Sequence, residues 1–254
     1  QAVLTHADLV SFTGSVPVGR MIVAEAGRRA IPVQAELGGS NAAIVDNSAD
    51  FDAAAEDLAA AMFSFAGQRC TAIRRVIVLD TIHDAFVDRL SAAVEALRVG
   101  DPSDPQTYVG PVIDKSRQRA LLGMGAKLPP DANEDGCWVQ PTLLSDLPAG
   151  HPLLNREVFG PLAAIARAPS LAAAIAAHNS TDMGLVGALY SRDEQTQAAF
   201  LAEAQAGILS INRARPPFAA DGPFTGWKAS GYGPPEHGRW NRDFYTRVQA
   251  VYRD

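Results

Sequence analysis

The residue pattern predicts an α/β fold. Short apolar runs rich in β-branched residues alternate with longer amphipathic stretches along all 254 residues, the rhythm of strands joined by crossover helices. Hydrophobic residues make up 47% and charged residues 20%, the balance of a folded globule rather than a disordered chain. A chain of this length buries roughly 70–75% of its unfolded surface, so its core needs no covalent staple. It has room for one large domain or two small ones.

Asp8 to Thr13 reads as a buried strand that enters Gly14-Ser15, and a helix follows from Val18 to Arg29. Val33 to Leu37 and Ala42 to Val45 read as short strands around a Gly38-Gly39 turn. Asp50 opens an alanine-rich helix that runs to about Ala66; alanine is the cheapest helix former. Arg75 to Leu79 is a β-branched strand, and Ile82 to Leu97 carries apolar residues at helical spacing. Asp101 to Pro105 is a loop, Asp114 to Ala126 a helix, and 129–137 an exposed run of turn formers. Trp138 to Leu144 is a strand, and Pro141 inside it predicts a sheet edge. Leu162 to Ala166, Leu185 to Tyr190 and Ile208 to Ile211 are further strands, separated by helices over 170–178 and 194–205. Residues 213–238 hold several Pro and Gly and form a long loop; the tail, 243–252, alternates like a final strand.

Several function classes are disfavoured. Lys and Arg number 22 against 28 Asp and Glu, a net charge of −6, where a nucleic-acid binder would carry a basic excess. No stretch approaches the roughly 20 apolar residues of a membrane span, and the N-terminus lacks the pattern of a signal peptide. Two cysteines, Cys70 and Cys137, are too few for a disulfide framework or a four-ligand zinc cluster. They leave a single bridge open, and a reducing cytoplasm is the default compartment. The five histidines show no ligand spacing, so no metal site is expected.

Three places can carry chemistry. Cys70 lies in Phe65-Ala66-Gly67-Gln68-Arg69-Cys70-Thr71. Beside Arg69 it could have a lowered pKa and act as a nucleophile; it could equally be an inert buried thiol. Glu36 ends an apolar strand before two glycines, a place for a general base with raised pKa or for an ordinary solvated charge. Gly14-Ser15-Val16-Pro17-Val18-Gly19 joins strand to helix, where N–H groups can meet a phosphate. It lacks the glycine fingerprint of a dinucleotide fold and the lysine of a P-loop, and an ordinary helix start would look similar.

Taken in order, these pieces and five more resemble the aldehyde dehydrogenase superfamily: VSFTGSVPVG (10–19), ELGG (36–39), FAGQRCTA (65–72), GCWVQPTLL (136–144), REVFGP (156–161), GLVGALYS (184–191), GILSIN (207–212) and PFTGWKASGYG (223–233). The resemblance implies an α/β catalytic domain with a truncated dinucleotide-binding domain. Residues 1–35 would be the end of the cofactor domain, 36–223 the catalytic domain, and 224–254 a return segment ending in an oligomerisation strand. It implies NAD or NADP as cofactor, a small-molecule aldehyde as substrate, and a homo-oligomer, dimer or tetramer. Cys70 would attack the aldehyde, and Glu36 would activate the water that hydrolyses the resulting thioester. Gly14 and Ser15 would lie near the pyrophosphate, Gly19 would let the helix pack closely, and Leu37 would belong to the cofactor site. Glu157 would bind the nicotinamide ribose and Phe159 would flank its ring.

The chain departs from the family pattern at Ser40, where a lysine usually follows ELGG, and at Thr225, where a glycine is usual. The Pro-Trp-Asn motif and the lysine for the adenosine ribose do not occur. Alone, the chain is therefore expected to bind NAD(P) weakly and oxidise aldehydes poorly. A non-catalytic module of the superfamily, used for assembly or for covering a partner's site, is the alternative. The tail, SGYGPPEHGRWNRDFYTRVQAVY, resembles that of 2-oxoglutarate semialdehyde dehydrogenases. Arg69 then either greets a substrate carboxylate or only packs.

Overall fold

A computed structural model describes residues 4–130, 132, 135–148, 150–215 and 219–254. Residues 1–3 and parts of the loops expected at 129–137 and 213–238 lie outside them.

The large sheet has six strands in the order β5-β6-β4-β3-β8-β9. They are β3 (Asn41–Val45), β4 (Ile73–Leu79), β5 (Thr142–Leu144), β6 (Leu162–Ala168), β8 (Val186–Tyr190) and β9 (Ile208–Ile211). Every pairing is parallel, so each connection must cross a face of the sheet. Helices α2 (Phe51–Phe63), α3 (His83–Glu95) and α4 (Lys115–Leu122) make some of these crossings, and α6 (Leu171–Asn179) and α7 (Glu194–Glu203) the others. The four inner strands are mainly buried, which explains their continuous apolar runs. Along β3 the faces alternate: Ala43 and Val45 pack in the core that holds α2 and α3, Ala42 and Ile44 in the core of α6 and α7.

The helices start where the sequence supplies a cap. The side chains of Asp50, Asp114, Ser170 and Asp193 accept from the N–H three residues on, in α2, α4, α6 and α7. A four-residue turn, α5 (Pro152–Asn155), precedes β6.

A second, three-stranded sheet has the order β1-β2-β11, from β1 (Val10–Thr13), β2 (Val33–Glu36) and β11 (Gly231–Tyr232). Helix α1 (Val16–Arg28) covers it, and its small core holds Ala26, Val33, Ala35 and Leu37. A two-stranded ribbon pairs β10 (Trp227–Lys228) with β7 (Met183–Gly184).

The chain leaves the carboxyl end of β2 and enters the amino end of β3 within four residues, 37–40. The small sheet therefore points its carboxyl ends at the amino ends of the large one. Ligands favour the carboxyl ends of open parallel sheets, and here the loops ahead of β3, β4 and β6 meet that crevice from the other side.

Three expectations need correction. The alanine-rich helix stops at Phe63 rather than Ala66, because Ser64 turns extended and Phe65 and Ala66 adopt left-handed φ values of 55° and 53°. The strand expected from Trp138 is only Thr142–Leu144; it is a sheet edge, and Pro141 lies just outside it. The tail is not a strand within the chain: Gly238–Tyr245 form helix α8, and residues 246–254 join no ladder. Its alternation of apolar and polar residues is satisfied by no neighbouring strand of this chain.

Candidate active site

A cavity of about 730 Å³ lies in the crevice between the sheets, lined by Gly14, Ser15, Leu37, Gly38, Arg69, Cys70, Arg117, Glu157, Phe159 and Phe224, among others. The structure thus brings together most residues picked from the sequence. Two are set back. Glu36 is buried at the end of β2, and Gly19 is buried in α1.

The two glycines of ELGG are required by their neighbours, not by their own φ. A Cβ on Gly38 would sit 2.3 Å from Oε2 of Glu157; one on Gly39 would sit 2.6 Å from the Cys70 carbonyl oxygen. The bare backbone lets the loops carrying Glu157 and Cys70 close on the same turn. The Gly39 N–H then donates to Oε1 of Glu157 at 2.9 Å. Gly19 has a similar reason: a Cβ there would meet Leu37 Cδ2 at 2.3 Å, so helix α1 packs directly on Leu37.

Asn41 fastens the thiol loop. Its Nδ2 donates to the carbonyls of Cys70 (2.7 Å) and Ala72 (2.9 Å), and its Oδ1 accepts from the Val186 N–H at 2.9 Å. One buried amide so links β3, the loop before β4, and β8. Sequence reasoning missed Asn41; the available signal was a polar residue opening an otherwise apolar strand, which must find partners when buried.

Burial, then the carboxylates of Glu157 and Glu36, push the Cys70 thiol above its usual pKa. The expectation of a lowered value beside Arg69 is thus overturned. The guanidinium of Arg69 binds back onto its own turn: Nη2 donates to Ser64 Oγ at 2.6 Å, and the group lies 5.4 Å from the Phe65 ring centroid. Its Nε is buried without a partner. Both cysteines are free thiols.

Glu36 is 4% exposed. Burial and the nearby Glu236 carboxylate raise its pKa to about 8, against a modest lowering by the Gly226 N–H. Its Oε2 has no hydrogen-bond partner. Burial also raises Glu157, opposed by the Gly39 N–H, Arg74 and Arg117.

Ser15 stands at the N-cap of α1 in extended conformation, and its side chain makes no capping bond. Thr13-Gly14-Ser15, which lead into this 13-residue helix, line the cavity, and that hydroxyl leaves the first helix N–H groups uncapped, a place suited to phosphate. The donor set fits a dinucleotide: helix N–H groups for the pyrophosphate, the Glu157 carboxylate for ribose hydroxyls, the Phe159 ring for a flat base. Among the described residues no group of three His, Cys, Asp or Glu could hold a metal ion. No helix among them is long and apolar enough to cross a membrane.

Crevice, thiol and helix terminus together describe an α/β protein with a nucleotide-shaped cleft beside a cysteine. The chain belongs to the aldehyde dehydrogenase family, which it matches over residues 2–251. It is 36% identical over 253 residues to betaine aldehyde dehydrogenase of Cereibacter sphaeroides, covering 96% of this chain and 52% of that protein. It is 37% identical over 236 residues to succinate-semialdehyde dehydrogenase [NADP(+)] 1 of Mycobacterium bovis, covering 88% and 51%. A solved Mycobacterium tuberculosis aldehyde dehydrogenase complexed with NAD+ superposes with a TM-score of 0.86 at 30% identity, covering 93% of this chain and 51% of that one. The chain spans about half the length of the relatives it matches.

Proposed function

We propose that this chain carries the catalytic thiol of an NAD(P)-dependent aldehyde dehydrogenase that converts an aldehyde, of semialdehyde type, to a carboxylic acid. One observation supports this above the others: Cys70, Glu157, Phe159 and Gly14-Ser15 line a single cavity. Glu36 lies buried within electrostatic reach of the thiol.

The Cys70 thiol gives its proton to water, and the thiolate attacks the aldehyde carbon, forming a C–S bond and a thiohemiacetal oxyanion. The Cys70 N–H is one arm of its oxyanion hole. An oxidised nicotinamide held in this cavity would supply the hydride acceptor that the oxidation of this adduct requires. Cys70 then carries a thioester. The Glu36 carboxylate takes a proton from water, the water oxygen displaces the sulfur, and the acid departs. Glu157 and the approach to α1 would hold the cofactor, with Phe159 available to its flat base. The buried unpartnered Nε of Arg69 supports a second substrate contact: a distal carboxylate would satisfy it and bring a charge-assisted bond. A reducing cytoplasm suits a mechanism that needs a free thiol.

The test is NAD(P)H formation by the full-length protein over a panel of aldehydes with and without a distal carboxylate. Cys70→Ala abolishes reduction. Reduction that survives Cys70→Ala sinks the mechanism; no reduction with any aldehyde favours the non-catalytic module instead.

A further inference from the structure

Strand β4 opens with two arginines whose side chains leave opposite faces of the sheet. Arg75 donates to the carbonyls of Ser40 (2.9 Å), Ala177 (2.7 Å) and His178 (3.0 Å), fastening α6 beneath the ELGGS turn. Arg74 goes the other way. It is the largest fully buried side chain among the described residues. Its Nη1 donates to the Gly160 carbonyl at 2.7 Å and its Nη2 to the Gly67 carbonyl. Gly160 ends the turn that holds Glu157 and Phe159; Gly67 lies in the turn that holds Cys70.

The two turns touch at this point. A Cβ on Gly67 would sit 2.4 Å from the Gly160 oxygen and 2.8 Å from Arg74 Nη1. Gly67 is left-handed, with φ +64°. Both backbones therefore converge on one guanidinium. Its planar fork carries donors on separate nitrogens, which a lysine head cannot aim at two carbonyls in the same way. Burial lowers Arg74 to a pKa of about 10, so the group stays charged at neutral pH. No ion pair among the described residues includes it. A buried cation answered by two carbonyls and, at longer range, by the Glu157 carboxylate is a poor way to stabilise a core, because apolar side chains of like volume often do as well or better.

We propose that Arg74 is a positioning residue: it ties the thiol turn to the Glu157 turn and so fixes Cys70 relative to the bound cofactor. The inference rests on the proposed dehydrogenase reading. It touches neither substrate nor cofactor, and acts through the two turns. A displacement of about 1 Å between reacting groups costs roughly a hundredfold in rate, so the effect is large while the fold survives.

The experiment uses the full-length protein, Arg74→Lys, which keeps the charge, and Arg74→Gln, which keeps a single amide donor. Three quantities are read: KM for NAD(P)+, kcat, and the rate of Cys70 alkylation by iodoacetamide with and without NAD(P)+. Wild type should show a cofactor-dependent alkylation rate. Folded variants should lose that dependence, raise KM for NAD(P)+ and lower kcat by roughly a hundredfold. A merely structural role would lower the folded fraction and leave the cofactor dependence of the folded molecules intact; that outcome overturns the proposal. So does unfolding of both variants, which would make Arg74 a residue of the core alone. If wild type itself neither reduces NAD(P)+ nor alkylates at Cys70, the dehydrogenase reading has failed first. Wild-type activity with unchanged variants defeats only this inference.

Discussion

A carboxyl buried as deeply as that of Glu36, with Glu236 nearby, keeps its proton well past the usual carboxylate range. With a folded pKa of about 8, Glu36 is largely protonated at neutral pH and serves as a base only as the pH climbs. Turnover limited by thioester hydrolysis should therefore rise with pH, with a midpoint near 8, in a steady-state pH profile. Glu36→Gln should still give a first burst of NAD(P)H and then stall; steady turnover at the wild-type rate would refute the assignment. The same shift has a sign for stability. The folded value is raised from 4.5 to about 8, so the native state holds the extra proton between those limits. Stability from this group is complete below about 4.5 and is lost as pH rises through about 8. Glu36→Gln removes that loss, so its melting temperature relative to wild type should increase with pH; a constant difference from pH 5 to pH 9 would count against the shift. At this scale much of the site was legible. Cys70, Glu36, Glu157 and Phe159 sit in short blocks whose order along the chain resembles a family. The partners of Asn41 and Arg74 were not legible, because they are main-chain groups. Any sequence supplies carbonyls, and only the topology brings these ones near.

The turn between α2 and β4 shows how an element can be shaped by its neighbours. Phe65, Ala66 and Gly67 are left-handed in succession, with φ of 55°, 53° and 64°. For residues with a Cβ such backbone is strained, and strain of this kind persists where surroundings enforce it, often beside active sites. Helix propensity in the alanine run therefore pointed past the true end at Phe63; packing against Gly160 and Arg74 overrides it. Gly67→Ala should cost about 1–3 kcal/mol, through left-handed backbone and the contact with Gly160. Gly123 is the control. It ends α4 at φ −64°, and a Cβ there would lie no closer than 3.4 Å to its neighbours, so Gly123→Ala should be neutral or stabilise by up to about 1 kcal/mol. Urea midpoints decide; equal effects at both positions would rule out the close approach as the cause. The other elements were legible for a simple reason. In a parallel sheet covered on both faces, every strand is an apolar run bounded by turn residues, and the caps Asp50, Asp114 and Asp193 mark helix starts. The short pairs β10 and β11 and helix α8 carry no such pattern. They form because residues 227–245 lie against β7, β2 and their surroundings.

For the molecule as a whole, the question is what two incompletely covered surfaces receive. In the small sheet β1 is hydrogen-bonded on one side only, and on α1, above the same sheet, Val18 and Met21 are 40% and 55% exposed. On the proposed reading, this half of the crevice would offer a dinucleotide the approach to α1, the Glu157 carboxylate and the Phe159 ring. Those contacts must offset the translational and ordering costs of binding, so the 254-residue chain should bind NAD(P)+ more weakly than a relative of which it covers about half. Calorimetry on both decides, and a dissociation constant of roughly micromolar, about −8 kcal/mol, for the chain alone would overturn the expectation. The second surface is the tail. Val248, Val251 and Tyr252 are 102%, 66% and 94% exposed, and residues 246–254 pair with no strand of their own chain. A segment outside any ladder that carries bare apolar side chains is a template for another strand. We propose that a second copy of the protein meets both needs in a symmetric assembly. Deleting residues 246–254 from the full-length protein should therefore lower its mass in solution, read by size-exclusion chromatography with light scattering, while β3 to β9 and the Cys70 cavity stay folded because none of their contacts come from this segment's ladders. An unchanged mass after the deletion would remove the tail from the assembly and leave the exposed face of α1 as the surface to test.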